Sequence, residues 1–218
     1  MHLSRWRNAC AWRCIGMVFA AATASAQEYE VGVQGGFGYS PDLTVSNASA
    51  SASTGLKKGA VIGIFGGADD YRYFGGEVNY LYRKSNFKLE NSTGSADFAG
   101  HTHLISGDIL GYFRPRGSRM RPFISFGGGI QIFEGTGAES AKQPLGNLAA
   151  LTATREVVPT AEIGVGVKYQ ISKRLRFRAQ FRDYISPVPN DVISPTPSSH
   201  ISGVLNDILG TVGLSLTW

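Results

Sequence analysis

Eight ionisable residues stand out because they recur in segments that are otherwise apolar or rich in glycine. Side chains at alternate positions of a strand share a face, so these charges are expected on one face of a sheet. A charge taken out of water must be paired or hydrogen-bonded. We therefore predict an internal charge network in which Arg178 or Arg182 pairs with Glu77, Asp108 or Glu162 from other segments. The members of the network are Glu30, Glu77, Asp108, Glu162, Lys168, Arg176, Arg178 and Arg182.

Two histidines, His101 and His103, lie two positions apart and share the other face of their segment. A metal site needs three or four ligands, and the sequence fixes no carboxylate at ligand spacing beside them. We therefore expect no metal and no cofactor. His103 and Ser106 have opposite parity and cannot form a base–nucleophile pair, so the chain is predicted to be non-enzymatic.

Two further motifs have structural explanations. The segment RPRGSRMR (114–121) contains four arginines. We interpret it as a solvated turn near anionic lipid headgroups, and we expect no nucleic-acid partner. The glycines at 127–129 lie inside a strand pattern and open no helix, so they are not a phosphate-binding loop.

The segments that carry these residues are predicted strands, because apolar and polar positions alternate with a period of two. In the last segment, Val212, Leu214, Leu216 and Trp218 oppose a mostly polar face. Only the second segment has ambiguous faces, since apolar residues occupy both. The eight predicted strands are 28–39, 58–67, 73–84, 103–113, 122–133, 160–171, 175–184 and 205–218.

The connections between these strands alternate between long and short. An antiparallel up-and-down barrel places alternate connections at opposite ends, so all the long ones meet at one end. We predict an all-β fold, an eight-stranded antiparallel up-and-down transmembrane β-barrel, with the long connections outside the cell. These connections are 40–56, 85–100, 134–159 and 185–204, and 145–152 is expected to form a helical turn.

The chemistry of the two strand faces decides which one is inside. The apolar face carries more large side chains than the interior of an eight-stranded barrel holds, which favours an apolar exterior and a charged lumen. A soluble lipocalin-like carrier, in which the apolar face points inward, is an alternative to the membrane barrel. Aromatic residues near strand ends are typical of membrane interfaces. They are Tyr29, Phe74, Phe113, Tyr169 and Trp218 at one end, and Tyr39, Tyr82 and Phe181 at the other.

Residues 1–26 are predicted to be a cleaved signal peptide that precedes a barrel domain at 27–218. Three arginines come before a short apolar run, and 24–26 (ASA) is a small-residue cleavage site. Cys10 and Cys14 leave with this segment, so we expect no disulfide in the mature chain. The mature chain then has 18 basic and 16 acidic residues, a net charge of +2 that gives no general case for nucleic-acid binding.

Five stretches carry a family resemblance: FGGEVNYLYR (74–83), GDILGYFRP (107–115), RPFISFGGG (121–129), RLRFRAQFRDY (174–184) and GLSLTW (213–218). With them the chain resembles the small eight-stranded outer-membrane barrels, the group of the OmpA transmembrane domain and of OmpX-like and OmpW-like proteins. The resemblance implies a monomer in the outer membrane. Its implied partners are outer-membrane lipids, lipopolysaccharide and the barrel assembly machinery.

The resemblance also implies a function and a recognition signal. We expect a non-enzymatic barrel with a structural or surface-interaction role through its long connections. The alternative is a narrow channel or a binder of small hydrophobic ligands. The assembly signal would comprise Val212, Leu214, Leu216 and Trp218, with Trp218 at the periplasmic interface and Val212 near the membrane midplane.

Overall fold

Eight long strands close into a barrel in the computed structural model, which describes residues 28–69, 71–140 and 143–218. The predicted signal peptide lies outside the described residues. No helix within them is long and apolar enough to cross a membrane. In chain order the strands are β1 (Glu28–Tyr39), β2 (Leu43–Ser46), β3 (Ser51–Leu56), β4 (Gly59–Asp69), β5 (Phe74–Lys84), β6 (Phe87–Asn91), β7 (Gly94–Phe98), β8 (Gly100–Tyr112), β9 (Met120–Gly135), β10 (Ala149–Leu151), β11 (Arg155–Gln170), β12 (Leu175–Ser186), β13 (Ile193–Pro195), β14 (His200–Ser202) and β15 (Leu205–Thr217).

The barrel is antiparallel throughout, and its strand order is β1-β15-β12-β11-β9-β8-β5-β4. Closure comes from the pairing of the first and last strands, in which Val31 lies opposite Leu216. At the end of that ladder the N–H of Tyr29 donates to the carbonyl of Trp218 at 3.1 Å. The eight-stranded up-and-down barrel expected from the sequence is therefore confirmed.

Several barrel strands extend beyond their predicted ends, because charged residues there still pair with the neighbouring strand. Strand β4 runs to Asp69, beyond the predicted end at Gly67, and β9 begins at Met120, ahead of the predicted start. Arg121 therefore belongs to a barrel strand, so assigning it to a solvated turn was wrong. Strands β9 and β11 pair as far as Glu134 opposite Arg155, which shortens the predicted long connection at that end.

The long connections fold together into a second layer, here called the cap, formed by the described residues 40–58, 85–99, 136–140, 143–154 and 187–204. The cap contains a five-stranded sheet, β14-β2-β3-β6-β7, and a two-stranded antiparallel sheet, β10-β13. The sequence analysis predicted no strands in these connections, so the strands of the cap were missed. In the expected helical turn, the N–H groups of Leu148 and Ala149 both donate to the carbonyl of Leu145. The chain then continues directly as strand β10.

The cap has its own hydrophobic core at the mouth of the barrel. Phe87 and Leu89 of β6 are fully buried there and meet residues from all four long connections and from the upper ends of barrel strands. Each connection contributes only a few apolar side chains, so the core exists only when they assemble. Its fourteen buried members are Val45, Ala52, Leu56, Phe87, Leu89, Phe98, Phe133, Leu148, Ala149, Leu151, Val158, Val192, Ile193 and Leu205.

The outside of the barrel is apolar and exposed. Val33 is 61% exposed and Phe37 is 74% exposed, and similar side chains surround the barrel wall. A contiguous apolar surface of this kind is unfavourable in water and favourable against lipid chains. The lipocalin-like alternative, which needs the apolar face inside, is therefore wrong. Among the expected interfacial aromatics, the rings of Tyr29 and Trp218 stack with centroids 6.2 Å apart.

Candidate functional site: a paired-charge lumen beneath the cap

The barrel lumen contains equal numbers of buried acids and bases. Alternation along the strands directs these side chains inward, so the apolar exterior and the charged interior follow from the same pattern. Six acids face six bases among the described residues, so the fully ionised set carries no net charge. The acids are Glu30, Asp69, Glu77, Asp108, Glu162 and Asp207, and the bases are Arg83, Arg121, Lys168, Arg176, Arg178 and Arg182.

The middle of the lumen holds two arginines among three carboxylates. Arg178 forms a bidentate pair with Glu77, with N–O distances of 3.0 and 2.6 Å. Arg182 donates to Glu77 and also to Asp108, the latter at 2.5 Å. Its Nε lies 3.7 Å from Glu162. The planar guanidinium fork suits such multiple pairing, and the layer links strands β5, β8, β11 and β12.

Neutral amides fill the rest of this cross-section. Asn79 donates to Glu77 at 3.1 Å and to Asp108 at 2.7 Å. Gln34 donates to Asn79 at 3.1 Å and accepts from Gln180 at 2.7 Å. These bonds continue the network to β1, so side chains span the lumen from wall to wall.

The layer nearest the short turns is built around Asp69. Arg121 pairs with it at 2.5 Å, and the hydroxyl of Tyr112 donates to it at 2.7 Å. Lys168 pairs with Glu30 at 2.5 Å in the same layer. The guanidinium of Arg121 also lies 3.6 Å from the centroid of the Tyr112 ring, a cation–π contact.

Arg176 connects this layer to the rim. It pairs with Glu28 at 2.5 Å and lies 3.8 Å from Glu30 and 3.7 Å from Asp69. Because Arg176 reaches three acids on two neighbouring strands, the end of the lumen next to the short turns is also closed by charge pairing.

The upper layer lies directly beneath the cap. Arg83 pairs with Asp207, which also accepts a bond from Gln131 at 3.0 Å. Arg83 donates in addition to the backbone carbonyl of Lys57 at 3.0 Å, so this layer is attached to the cap. A small buried apolar cluster also lies in the barrel and consists of Val61, Leu81, Leu104, Tyr184 and Leu209.

The structure brings all eight residues of the predicted charge network into one lumen and adds four more. Arg83 and Asp207 had the correct strand parity, which was the signal that could have included them. Asp69 and Arg121 were missed because they lay beyond the predicted strand ends. Glycines provide the room, since a Cβ at Gly127 would lie 2.0 Å from Oδ1 of Asp108.

The cap surface carries ion pairs of a different kind. Lys57 pairs with Asp97 at 2.6 Å, with side chains 42% and 56% exposed. Lys88 pairs with Asp42 at 2.7 Å, and this hydrogen bond raises the pKa of the lysine. Such solvated pairs add little stability, in contrast to the buried pairs of the lumen.

Two groups on the barrel wall were considered for chemistry: His103 with Ser106, and His101 with His103. His103 and Ser106 point to opposite faces, and Ser106 is buried in the lumen, where it donates to Asp108 at 3.2 Å. No carboxylate stands at ligand spacing beside the two histidines in the sequence, but strand pairing supplies one in Glu134. Oε2 of Glu134 lies 3.0 Å from Nε2 of His101, because strand pairing places the two residues opposite each other.

The residues expected to guide assembly form an exposed stripe on the outer wall. Val212, Leu214, Leu216 and Trp218 all point outward and are about half exposed or more. Val212 lies opposite Gly35 on one side and Ala179 on the other. Their role as a recognition signal stays a prediction.

Comparisons with known proteins agree with this architecture. The family model described as outer membrane protein beta-barrel domain matches residues 14–193. OprG from Pseudomonas aeruginosa is similar over 87% of this chain and 95% of its own, with a TM-score of 0.52 and 9% identity. AlkL, solved in lipid bilayers, is similar over 92% of this chain and 95% of its own, with a TM-score of 0.50 and 11% identity. No curated protein sequence matches significantly. At these identities the solved structures show the fold alone.

Proposed function

Because this chain belongs to the outer membrane protein beta-barrel family and resides in the outer membrane, we propose that it is a non-enzymatic anchor that holds the cap at the cell surface. In this role the barrel conducts nothing, and the cap provides a structural or surface-interaction face. The observation that carries the proposal is the filled lumen, with six acids and six bases paired in layers.

A channel would require this packing to open. Arg178 and Arg182 meet Glu77 from two sides, so a path through the middle layer must separate at least one of these pairs. Separating a buried ion pair loses its attraction and leaves two charges without a partner, which is unfavourable. The paired lumen therefore supports an anchor over a continuous channel.

The folded cap supports a surface-interaction role. Its fourteen-residue core orders all four long connections into one body. A partner that binds a preordered surface does not have to supply the free energy for ordering flexible loops. The cap is also joined to the barrel through the bond between Arg83 and the Lys57 carbonyl, so its orientation is set by the membrane-spanning part.

Planar-bilayer recordings test the closed barrel. The refolded wild-type protein should show no discrete conductance steps. A triple variant, Glu77→Ser with Arg178→Ser and Arg182→Ser, should conduct, because it removes both charges and side-chain volume from the middle layer. Gel mobility with and without heating would verify that both barrels are folded. Reproducible conductance steps from the wild type would favour the channel alternative and refute the anchor.

Cysteine labelling on intact cells tests the orientation of the cap. The mature chain is expected to contain no cysteine, so single cysteines can be introduced at exposed sites. Ser92→Cys, in the turn between β6 and β7, should react with a membrane-impermeant maleimide. Lys173→Cys, in the short turn between β11 and β12, should react only after lysis. The opposite labelling would place the cap in the periplasm.

A further inference from the structure

A cluster of two imidazoles and one carboxylate lies on the outer wall of the barrel next to the cap. His101 and His103 come from β8 and Glu134 comes from β9. One candidate ligand atom from each residue lies within 4.8 Å of the other two. We propose that these three residues form a binding site for a transition-metal dication of the Zn²⁺ class.

The backbone geometry holds the three side chains on one face. His101 and His103 have the same parity on β8, and antiparallel register places Glu134 directly opposite His101. The rings of the histidines are 5.1 Å apart, centroid to centroid. Ligand atoms on one tetrahedral zinc ion lie about 3.3 Å apart, given Zn–N and Zn–O bonds of about 2.0–2.2 Å. Small rotations of the side chains therefore bring all three atoms onto one ion.

Two of the three proposed ligands, His103 and Glu134, have an outer partner of the type that orients metal ligands. The hydroxyl of Tyr80 lies 2.8 Å from Nδ1 of His103, which leaves Nε2 as the nitrogen for the metal. Nε of Arg155 lies 3.1 Å from Oε1 of Glu134, which leaves Oε2 directed at His101. Hydrogen bonds to the distal atoms of ligating groups fix their orientation and raise metal affinity.

The donor set selects the class of ion. Two imidazoles and one carboxylate suit Zn²⁺ and its transition-metal neighbours, whereas Mg²⁺ and Ca²⁺ prefer oxygen ligands alone. Three protein ligands leave a fourth position for water or another exchangeable group. The location permits entry from solvent, since the side chains of His101 and Glu134 are 21% and 27% exposed.

Zinc titration of the refolded mature chain tests the site, in detergent micelles and without a histidine tag. Competition with a chromophoric chelator should show one zinc ion per wild-type chain. His103→Gln and Glu134→Gln should each weaken binding at least about tenfold, because each removes a ligand. His200→Gln, at an exposed cap histidine, is the matched control and should bind as the wild type does.

Two further measurements separate metal binding from simple packing. Tyr80→Phe keeps the ring and should weaken zinc binding about tenfold if the hydroxyl orients His103. Co²⁺ bound to the wild type should give a visible absorption band that His103→Gln loses. Heat-dependent gel mobility would verify that each variant is folded, and Glu134→Gln decides the question if His103→Gln does not fold. Zinc affinity that is equal in the wild type and in folded Glu134→Gln would overturn the proposal.

Discussion

The barrel and the cap have opposite interiors. Inside the barrel, charged side chains such as Arg178 and Glu77 are buried, while apolar side chains such as Phe37 lie exposed on the outer wall. Inside the cap, Phe87 and Leu89 are buried, while charged pairs such as Lys57–Asp97 lie at the surface. The two regions are continuous in sequence and connected at every long hairpin.

The solvent around each region explains the inversion. Against lipid, an apolar side chain gains stability on the outside, and the polar face must satisfy itself within the lumen. Against water, apolar side chains gain stability when they are buried together. One chain therefore buries charged side chains in the barrel and apolar side chains in the cap. The boundary between the two regions lies where Arg83 and Asp207 meet the underside of the cap. Substitutions that act differently in the two regions test this comparison.

The largest effect is expected from Glu77→Ala in the middle of the lumen. This change leaves Arg178 and Arg182 without their shared carboxylate, and loss of one partner of a buried pair costs about 3–5 kcal/mol. Reversible urea unfolding in lipid vesicles would measure the loss in free energy of unfolding. Asp97→Asn breaks an exposed cap pair as the control and should cost no more than about 1 kcal/mol. Equal effects of the two changes would mean that the lumen is as solvated as the cap surface.

A loss of about 2–5 kcal/mol is expected from Leu89→Ala in the core of the cap. Leu89 is fully buried, so its removal leaves a cavity where four connections meet. The effect should be confined to the cap, because this core is separate from the lumen layers. Limited proteolysis should cut residues 85–99 faster in the variant, while heat-dependent gel mobility of the barrel stays unchanged. If the barrel lost its heat-dependent mobility as well, the two regions would not be separate folding units.

A smaller loss, about 2–4 kcal/mol, is expected from Val212→Arg on the barrel wall. Val212 is 54% exposed and lies six residues from Trp218 on the same face, so an arginine there would meet hydrocarbon near the midplane. Unfolding from lipid vesicles should be compared with that of Val212→Ala, which shortens the same side chain without adding charge. An arginine variant as stable as the alanine variant would show that this face does not contact lipid.

Much of the barrel could be predicted because each strand by itself shows the alternation of apolar and polar residues. Alternation in 28–39 and 205–218 identified strands that the structure has at Glu28–Tyr39 and Leu205–Thr217. The same alternation separated the lipid face from the polar face, even though the pairing partners were unknown. The faces of the second strand were ambiguous because Val61 and Phe65 are apolar residues that point into the lumen. There the centroid of the Phe65 ring lies 4.0 Å from Cζ of the Arg178 guanidinium.

The sequence by itself determined the number of barrel strands, the alternation of long and short connections and the face on which the charges lie, because these depend on neighbours a few residues away. Tertiary structure alone decided which charges meet, since Glu77 and Arg178 are 101 residues apart. It also decided that four polar connections share a core, because no single connection contains enough apolar residues to show one. The placement of Glu134 beside His101 likewise depends on strand register, which pairs residues 33 positions apart.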